Sequence, residues 1–268
     1  MKILITGSKG FVGLHLVKYF KNKHRVVDYD LKDGKDIFNQ KLLLKSLKSV
    51  DVVIHLAAFI SGMESWEKQE EYLMNNGLGT YRVIKACVVS GVKRIIIFSS
   101  AAVYGKPLTP YGASKLWGEI ISKTYEDKIE VIIVRPFNIY GMGQNTNYGY
   151  VIHNFFKGIK NKQKIQIYGD GNQTRDFIFI GDVVKVVEEL LTSRISYKQI
   201  DLGTGHDTKI IDLAHIIGKI LNKKFNIKHL AAREEVLVSK ADTSVLAEVG
   251  IDVSKFTKLK DGLISILK

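Results

Sequence analysis

Residues 2–20 read KILITGSKGFVGLHLVKYF. Lys2–Thr6 is an apolar run of the kind that forms a strand buried on both faces. Gly7, Gly10 and Gly13 follow at three-residue intervals, and Leu14, Leu16, Val17 and Phe20 then recur with helical period. Strand, glycine loop and helix in this order let the backbone approach a pyrophosphate, with the helix N-terminus supplying free N–H groups and a positive dipole end. The spacing is one residue longer than the commonest dinucleotide fingerprint.

Working outward, residues 25–29 form a second strand that ends at Asp30. That position lies about twenty residues past the loop, where a carboxylate can accept both hydroxyls of an adenosine ribose. A negative charge there repels a 2′-phosphate, which favours NAD over NADP. Asp28, two residues earlier on the same strand face, is the competing carboxylate. Asp36 and Ile37 follow after a very short connection. Residues 51–55 (DVVIH) make the next buried strand, and Leu56, Ala57 and Ala58 end it with side chains small enough for a dinucleotide to lie across the strand ends. Residues 67–90 read as helix and carry Asn75, Asn76, Gly77 and Gly79. A glycine inside a helix costs about 1 kcal/mol relative to alanine, so the two glycines signal either close packing on a neighbour or a break.

The strand RIIIF (94–98) opens the stretch FSSAAVYGKPLTPYGASK, residues 98–115. Ser99 and Ser100 stand where a parallel strand ends, which is where open α/β sheets bind ligands. Tyr111 and Lys115 fall one helical turn apart on one face. A free tyrosine titrates near about 10 and is no base at neutral pH. A neighbouring ammonium, and a bound oxidised nicotinamide, both favour the phenolate. Such a phenolate can take a proton from a sugar hydroxyl while hydride leaves the same carbon, with a serine orienting the oxygen. Alone, Tyr-x-x-x-Lys is equally a surface pair on a helix. The strand-end serines and the glycine loop are what give it a catalytic reading.

A further strand, residues 130–134, runs into RPFNIYG (135–141). The alternation of strand and helix predicts an α/β fold with a doubly wound parallel sheet. Past Gly141 the pattern loosens into a polar loop (141–150), a helix, short strands, a returning strand (196–202) and a closing helix (258–267). The expected organisation is a Rossmann domain of residues 1–140 and 173–205, with a smaller substrate-binding lobe of residues 141–172 and 206–268. The net charge is +13, but the lysines are scattered singly or in pairs. That argues for a solvated surface that steers small anions, with no nucleic-acid partner. The single cysteine, Cys87, rules out an internal disulfide framework and suits a reducing cytosol, so a cytoplasmic protein is expected. The apolar N-terminal run is too short for a signal peptide, and no stretch approaches the length of a membrane span. His153 and His206 have no ligand cluster around them in the sequence, and no metal site is expected.

Together, the glycine loop, Asp30, HLAA, SSAAVYG, Tyr111-x-x-x-Lys115, RPFNIYG and IYGDGNQTRDFIFIGDVV resemble the extended short-chain dehydrogenases/reductases of the NAD-dependent epimerase/dehydratase family. The resemblance is strongest to the UDP-glucose 4-epimerase-like branch and runs through the whole chain. It implies NAD as cofactor and a nucleotide-diphosphate sugar as substrate. It assigns catalysis to Ser100, Tyr111 and Lys115. Phe11 and Val12 would lie against the pyrophosphate, Asp30 on the adenosine ribose, and Asp36 with Ile37 on the adenine. Leu56, Ala57, Ala58, Asn75, Ser99 and Phe137 would make further cofactor contacts, with Lys115 on the nicotinamide ribose. Asn138, Arg175 and Arg233 would hold the diphosphate. A homodimer through residues 74–89 and 116–125 is also implied.

Two departures refine the expectation. Relatives that eliminate water carry an Asp-Glu pair after the serine, where this chain has Ala101 and Ala102, so dehydration is not expected. Only six residues separate Tyr104 from Tyr111, a connection much shorter than in the relatives. The expected reaction is C4 epimerisation through a transient 4-keto sugar. The alternatives are NAD(P)H-dependent reduction of a nucleotide 4-keto-6-deoxysugar and, in a different class, cofactor binding without catalysis.

Overall fold

The computed structural model describes residues 1–144, 150–193 and 198–267. Lys2–Thr6 (β1) leads through the glycine loop into Phe11–Phe20 (α1), Arg25–Tyr29 (β2), Gln40–Ser46 (α2) and Val52–His55 (β3). Gln69–Tyr72 (α3) continues through a π-helical segment, Leu73–Leu78, into Gly79–Val89 (α4). Arg94–Phe98 (β4), Pro110–Lys123 (α5) and Glu130–Pro136 (β5) complete the first half. Then come Asn138–Tyr140 (β6), Val151–Lys160 (α6), Ile165–Tyr168 (β7), Thr174–Phe179 (β8), Ile180–Leu190 (α7) and Lys198–Leu202 (β9). Asp207–Lys209 (β10), Ile210–Leu221 (α8), Ile227–Leu230 (β11), Val238–Ser239 (β12), Ser244–Glu248 (α9) and Leu259–Ser265 (α10) end the chain. Of the expected loop 141–150, residues 145–149 lie outside the described residues, as do 196 and 197 of the expected returning strand.

Six parallel strands form the main sheet in the order β2-β1-β3-β4-β5-β9. The chain leaves β1 for β2 on one side and then crosses back to β3 on the other. That reversal opens a crevice at the C-terminal ends of β1 and β3, the usual ligand position in such sheets. Every residue of Arg94–Phe98 is buried, as a strand covered on both faces requires. One face packs Leu16 and Phe20 of α1 against Val183 and Val187 of α7. The other packs Leu43 of α2 against Val83, Ile84 and Cys87 of α4. Burial pushes the Cys87 thiol up, so it stays protonated and unreactive.

Gly77 decides how the helices meet. A Cβ there would lie 1.8 Å from Trp117 Cε3, so only glycine lets α5 seat its tryptophan on the π-helical segment. Close packing, not a break, explains the glycines in this helix.

The second half adds a small sheet, β10-β8-β12 with β6 beside β8, and the pair β11-β7. Helices α6, α8 and α10 enclose a separate core that includes Phe155, Ile159, Leu213, Ile217 and Leu263. The cores do not follow the expected domain boundaries residue by residue. Leu246 of α9 and Ile251, both within 206–268, belong to the core of the six-stranded sheet, because α9 packs on β9. Phe177, within 173–205, belongs to the core of the lobe.

Candidate active site

The glycine loop is tight because its backbone folds onto itself. Gly7 has φ +67°, and a Cβ on it would meet the Ala57 nitrogen at 2.8 Å. A Cβ on Gly13 would lie 2.2 Å from the Gly7 carbonyl oxygen. Helix α1 starts with no side chain capping it, so its first-turn amides, those of Phe11 and Val12 among them, are left for an anion. The Thr6 hydroxyl accepts from the Leu56 and Ala57 amides, each at 3.2 Å, which pins the end of β3 beside the loop.

Asp30 is buried, and its carboxylate accepts from the Lys9 amide at 2.8 Å and the Lys32 amide at 2.9 Å. Asp28 is exposed, so Asp30 is the carboxylate turned to the glycine loop. A carboxylate has about four acceptor positions. Two are used here, and the rest suit a ribose diol. Asp36 is held by the Tyr29 hydroxyl, which donates to its carbonyl at 2.7 Å. The Ile37 side chain is buried in the core under Gly79, so Ile37 offers a ligand only its backbone. This donor set, with uncapped amides, a carboxylate with free acceptor positions at the glycine loop and small residues at the end of β3, fits a dinucleotide.

Ser100 ends the β4 extension. Its hydroxyl accepts from the Ala102 amide at 3.1 Å and so starts a 3-10 turn, Ala101–Tyr104. Thr109 caps α5 by accepting from the Gly112 amide at 3.1 Å, with Pro110 in the first turn. The Tyr111 ring meets Tyr72 edge-on, with centroids 6.3 Å apart. Burial raises the pKa of the Tyr111 phenol, and its hydrogen bond with Ser100 offsets this in part. Lys115 is also buried, and desolvation brings it down to about 8, with the Glu119 carboxylate pulling the other way. The expected lowering of the phenol by Lys115 is not seen in the cofactor-free chain. Lys115 is not among the groups that shift Tyr111, and desolvation, which penalises either charge, dominates both residues.

Beneath these groups runs a buried polar chain that sequence reading missed. Thr6 Oγ1 lies 2.7 Å from His55 Nδ1, and His55 Nε2 lies 3.1 Å from Thr80 Oγ1. Thr80 donates to the Asn76 carbonyl at 2.6 Å. The Asn76 amide donates to Ser114 Oγ and to the Phe59 carbonyl, each at 3.0 Å. Burial, reinforced by the Lys115 charge, brings His55 down to about 3, so it is neutral. The chain ties the ends of β1 and β3 to the helix that carries Tyr111. Asn75, the expected cofactor contact, is half-buried and donates to Asn76 at 3.1 Å, whereas Asn76 is fully buried. Ser99 is likewise turned inward: its hydroxyl donates to Glu119. Arg135 grips that carboxylate with two nitrogens, at 2.9 and 2.5 Å, and donates to the Tyr104 hydroxyl at 2.6 Å. Tyr104 in turn donates to Asp201 at 2.7 Å.

In the second half of the chain, the Asn138 amide donates to the Asp176 carbonyl at 3.0 Å. Arg175 is ion-paired with Glu235, and the guanidinium of Arg233 lies 3.0 Å from the centroid of the Tyr168 ring. The buried Phe137 packs its ring near Tyr104. Among the described residues, no group of three His, Cys, Asp or Glu side chains could hold a metal ion, and no helix is long and apolar enough to cross a membrane.

Residues 3–203 match the model of a family described as the NAD dependent epimerase/dehydratase family. A putative UDP-glucose 4-epimerase of Methanocaldococcus jannaschii is 32% identical over 292 residues, covering 96% of this chain and 92% of its own length. The UDP-N-acetylglucosamine 4-epimerase of Methanobrevibacter ruminantium M1, solved with UDP-N-acetylmuramic acid, superposes with a TM-score of 0.92 at 28% identity and covers 99% of this chain and 96% of its own. A mutant UDP-glucuronic acid 4-epimerase of Bacillus cereus, solved with UDP-4-deoxy-4-fluoro-glucuronic acid and NAD, gives 0.90 at 29% identity, over 99% and 97% of the two chains.

Proposed function

The chain belongs to the NAD-dependent epimerase/dehydratase family, and from that premise we propose that it inverts C4 of a nucleotide-diphosphate sugar through a transient 4-keto sugar. The observation that carries this reading is the packing of the Ala101–Tyr104 turn, begun by Ser100, on the start of α5, which brings Ser100 near Tyr111, one helical turn from Lys115 and next to two alanines. NAD supplies the hydride acceptor and a positive charge that favours ionisation of the Tyr111 phenol. Tyr111 takes the proton of the C4 hydroxyl and later returns it. Ser100 donates to the C4 oxygen and holds it against the phenolate. Ala101 and Ala102 offer no acid to protonate a departing hydroxide, so the keto sugar is reduced again and not dehydrated. Asn138, Arg175 and Arg233 hold the diphosphate in the smaller lobe. The exposed apolar side chains of Met74, Val89 and Ile120 support a homodimer through residues 74–89 and 116–125. The free, buried Cys87 suits a cytoplasmic setting.

The test is to incubate the purified chain with UDP-, GDP- and dTDP-sugars and no added cofactor. C4 interconversion of at least one is expected. Tyr111→Phe should reduce it about 10²- to 10⁴-fold, the range of a lost acid–base group, while retaining NAD. No interconversion of any sugar refutes the reading. Steady consumption of NADH or NADPH with a 4-keto-6-deoxysugar would establish ketoreduction in its place.

A further inference from the structure

Arg175 lies on β8, and the way its guanidinium is held separates orientation from charge. Both Nη1 hydrogen bonds go to backbone carbonyls, those of Thr174 and Val236, each at 2.8 Å. Those carbonyls fix the plane of the group. Nη2 is ion-paired with Glu235, whose side chain is 29% exposed against 19% for Arg175. The backbone beyond Glu235 is pinned independently. The Thr174 amide donates to the Leu237 carbonyl at 2.8 Å, and Val238 pairs with Thr174 in β12. Glu235 is therefore not needed to aim Arg175, and its carboxylate can swing out by side-chain rotation, releasing Arg175 and a long hydrogen bond from Gln173 Nε2 at 3.5 Å. The carboxylate occupies Nη2, one of the donors on which an incoming anion can form a charge-assisted hydrogen bond. Arg233, two residues earlier in the same loop, is exposed and stacked on Tyr168, with no carboxylate on it.

We propose that Glu235 is an internal occupant of the phosphate position on Arg175, so that a nucleoside diphosphate binds by exchanging one anion for another. The proposal rests on the nucleotide-sugar reading above. Two oxyanions side by side on this guanidinium repel each other, so a diphosphate bonds Arg175 best once the carboxylate has swung away. Removing the carboxylate's charge should therefore tighten binding, the opposite of what removing a ligand-holding residue does.

The experiment is calorimetric titration of the full chain, loaded with NAD, with UDP, GDP and dTDP. For Glu235→Gln and Glu235→Ala, binding of the preferred nucleotide should tighten about two- to fivefold, the range of a partly exposed ion pair no longer competed for. The gain should vanish in an Arg175→Ala background. Thermal unfolding and NAD affinity of each variant confirm that the fold is kept. Unchanged or weaker nucleotide binding in both Glu235 variants overturns the inference and leaves the nucleotide-sugar reading standing. A gain that persists without Arg175 also overturns it, since general repulsion would then be the cause. If NAD binds but no nucleoside diphosphate does in any variant, the nucleotide-sugar reading itself falls, and the exchange with it.

Discussion

Replacing Lys115 with Met gives a test whose sign is fixed by burial. The ammonium sits inside the protein, and desolvation brings its pKa from an ordinary 10.5 down to about 8. At 1.36 kcal/mol per pH unit, that fall corresponds to about 3 kcal/mol of strain on the folded state of the cofactor-free chain. Below pH 8 the group is charged whether the chain is folded or not, and the whole cost is felt. Between pH 8 and 10.5 the unfolded chain binds a proton that the folded chain does not, so stability rises with pH. Above 10.5 the group is neutral in both states and the cost is gone. Lys115→Met should therefore stabilise the cofactor-free protein by about 3 kcal/mol at pH 7, and this advantage should shrink toward zero by about pH 10.5. Urea unfolding of wild type and variant across that range measures the difference directly. At pH 7 the midpoint of thermal unfolding should rise by roughly 6 to 12 °C. An advantage that does not change with pH, or a variant less stable than wild type at pH 7, would refute the argument, because the ammonium would then have a compensating partner.

Gly13→Ala should cost about 1–3 kcal/mol or more, because the new Cβ meets backbone atoms that cannot turn aside. NAD affinity, followed by fluorescence titration, should fall with it. A variant with wild-type stability and affinity would mean that the loop is not packed as described. Glu119→Gln leaves the Arg135 guanidinium without its carboxylate in a largely buried setting, and should cost about 3–5 kcal/mol in denaturant unfolding. Ser99→Ala removes only one hydrogen bond to Glu119 and should cost about 1 kcal/mol. Equal costs for the two would contradict a charge-centred network.

The glycine loop and Asp30 were legible in the sequence because local backbone geometry dictates them: no other residue type fits at Gly13, and strand length alone sets where Asp30 falls. The same holds for Tyr111 and Lys115, which a single helical turn aligns. The electrostatics of that pair were not legible. Spacing reports that two groups share a face, but not that both are removed from water, and here removal from water is the largest influence on each. The inward turn of Asn76 was hidden for another reason. A 3.6-residue period misplaces side chains across the π-helical segment, and the segment turns Asn76, not Asn75, into the interior. The pairing of Arg175 with Glu235 joins residues 60 positions apart, and no local pattern could announce it.

Leu246 and Ile251 have a consequence for how this molecule can be taken apart. They come from the last tenth of the chain, yet they plug the cofactor-binding sheet. A fragment ending after β9 would present a greasy wall to solvent, and an isolated lobe would lack its anchor. Neither half is a free-standing module, so unfolding of one should drag the other with it, and grafting this lobe onto a foreign dinucleotide fold would require carrying α9 along as its seal.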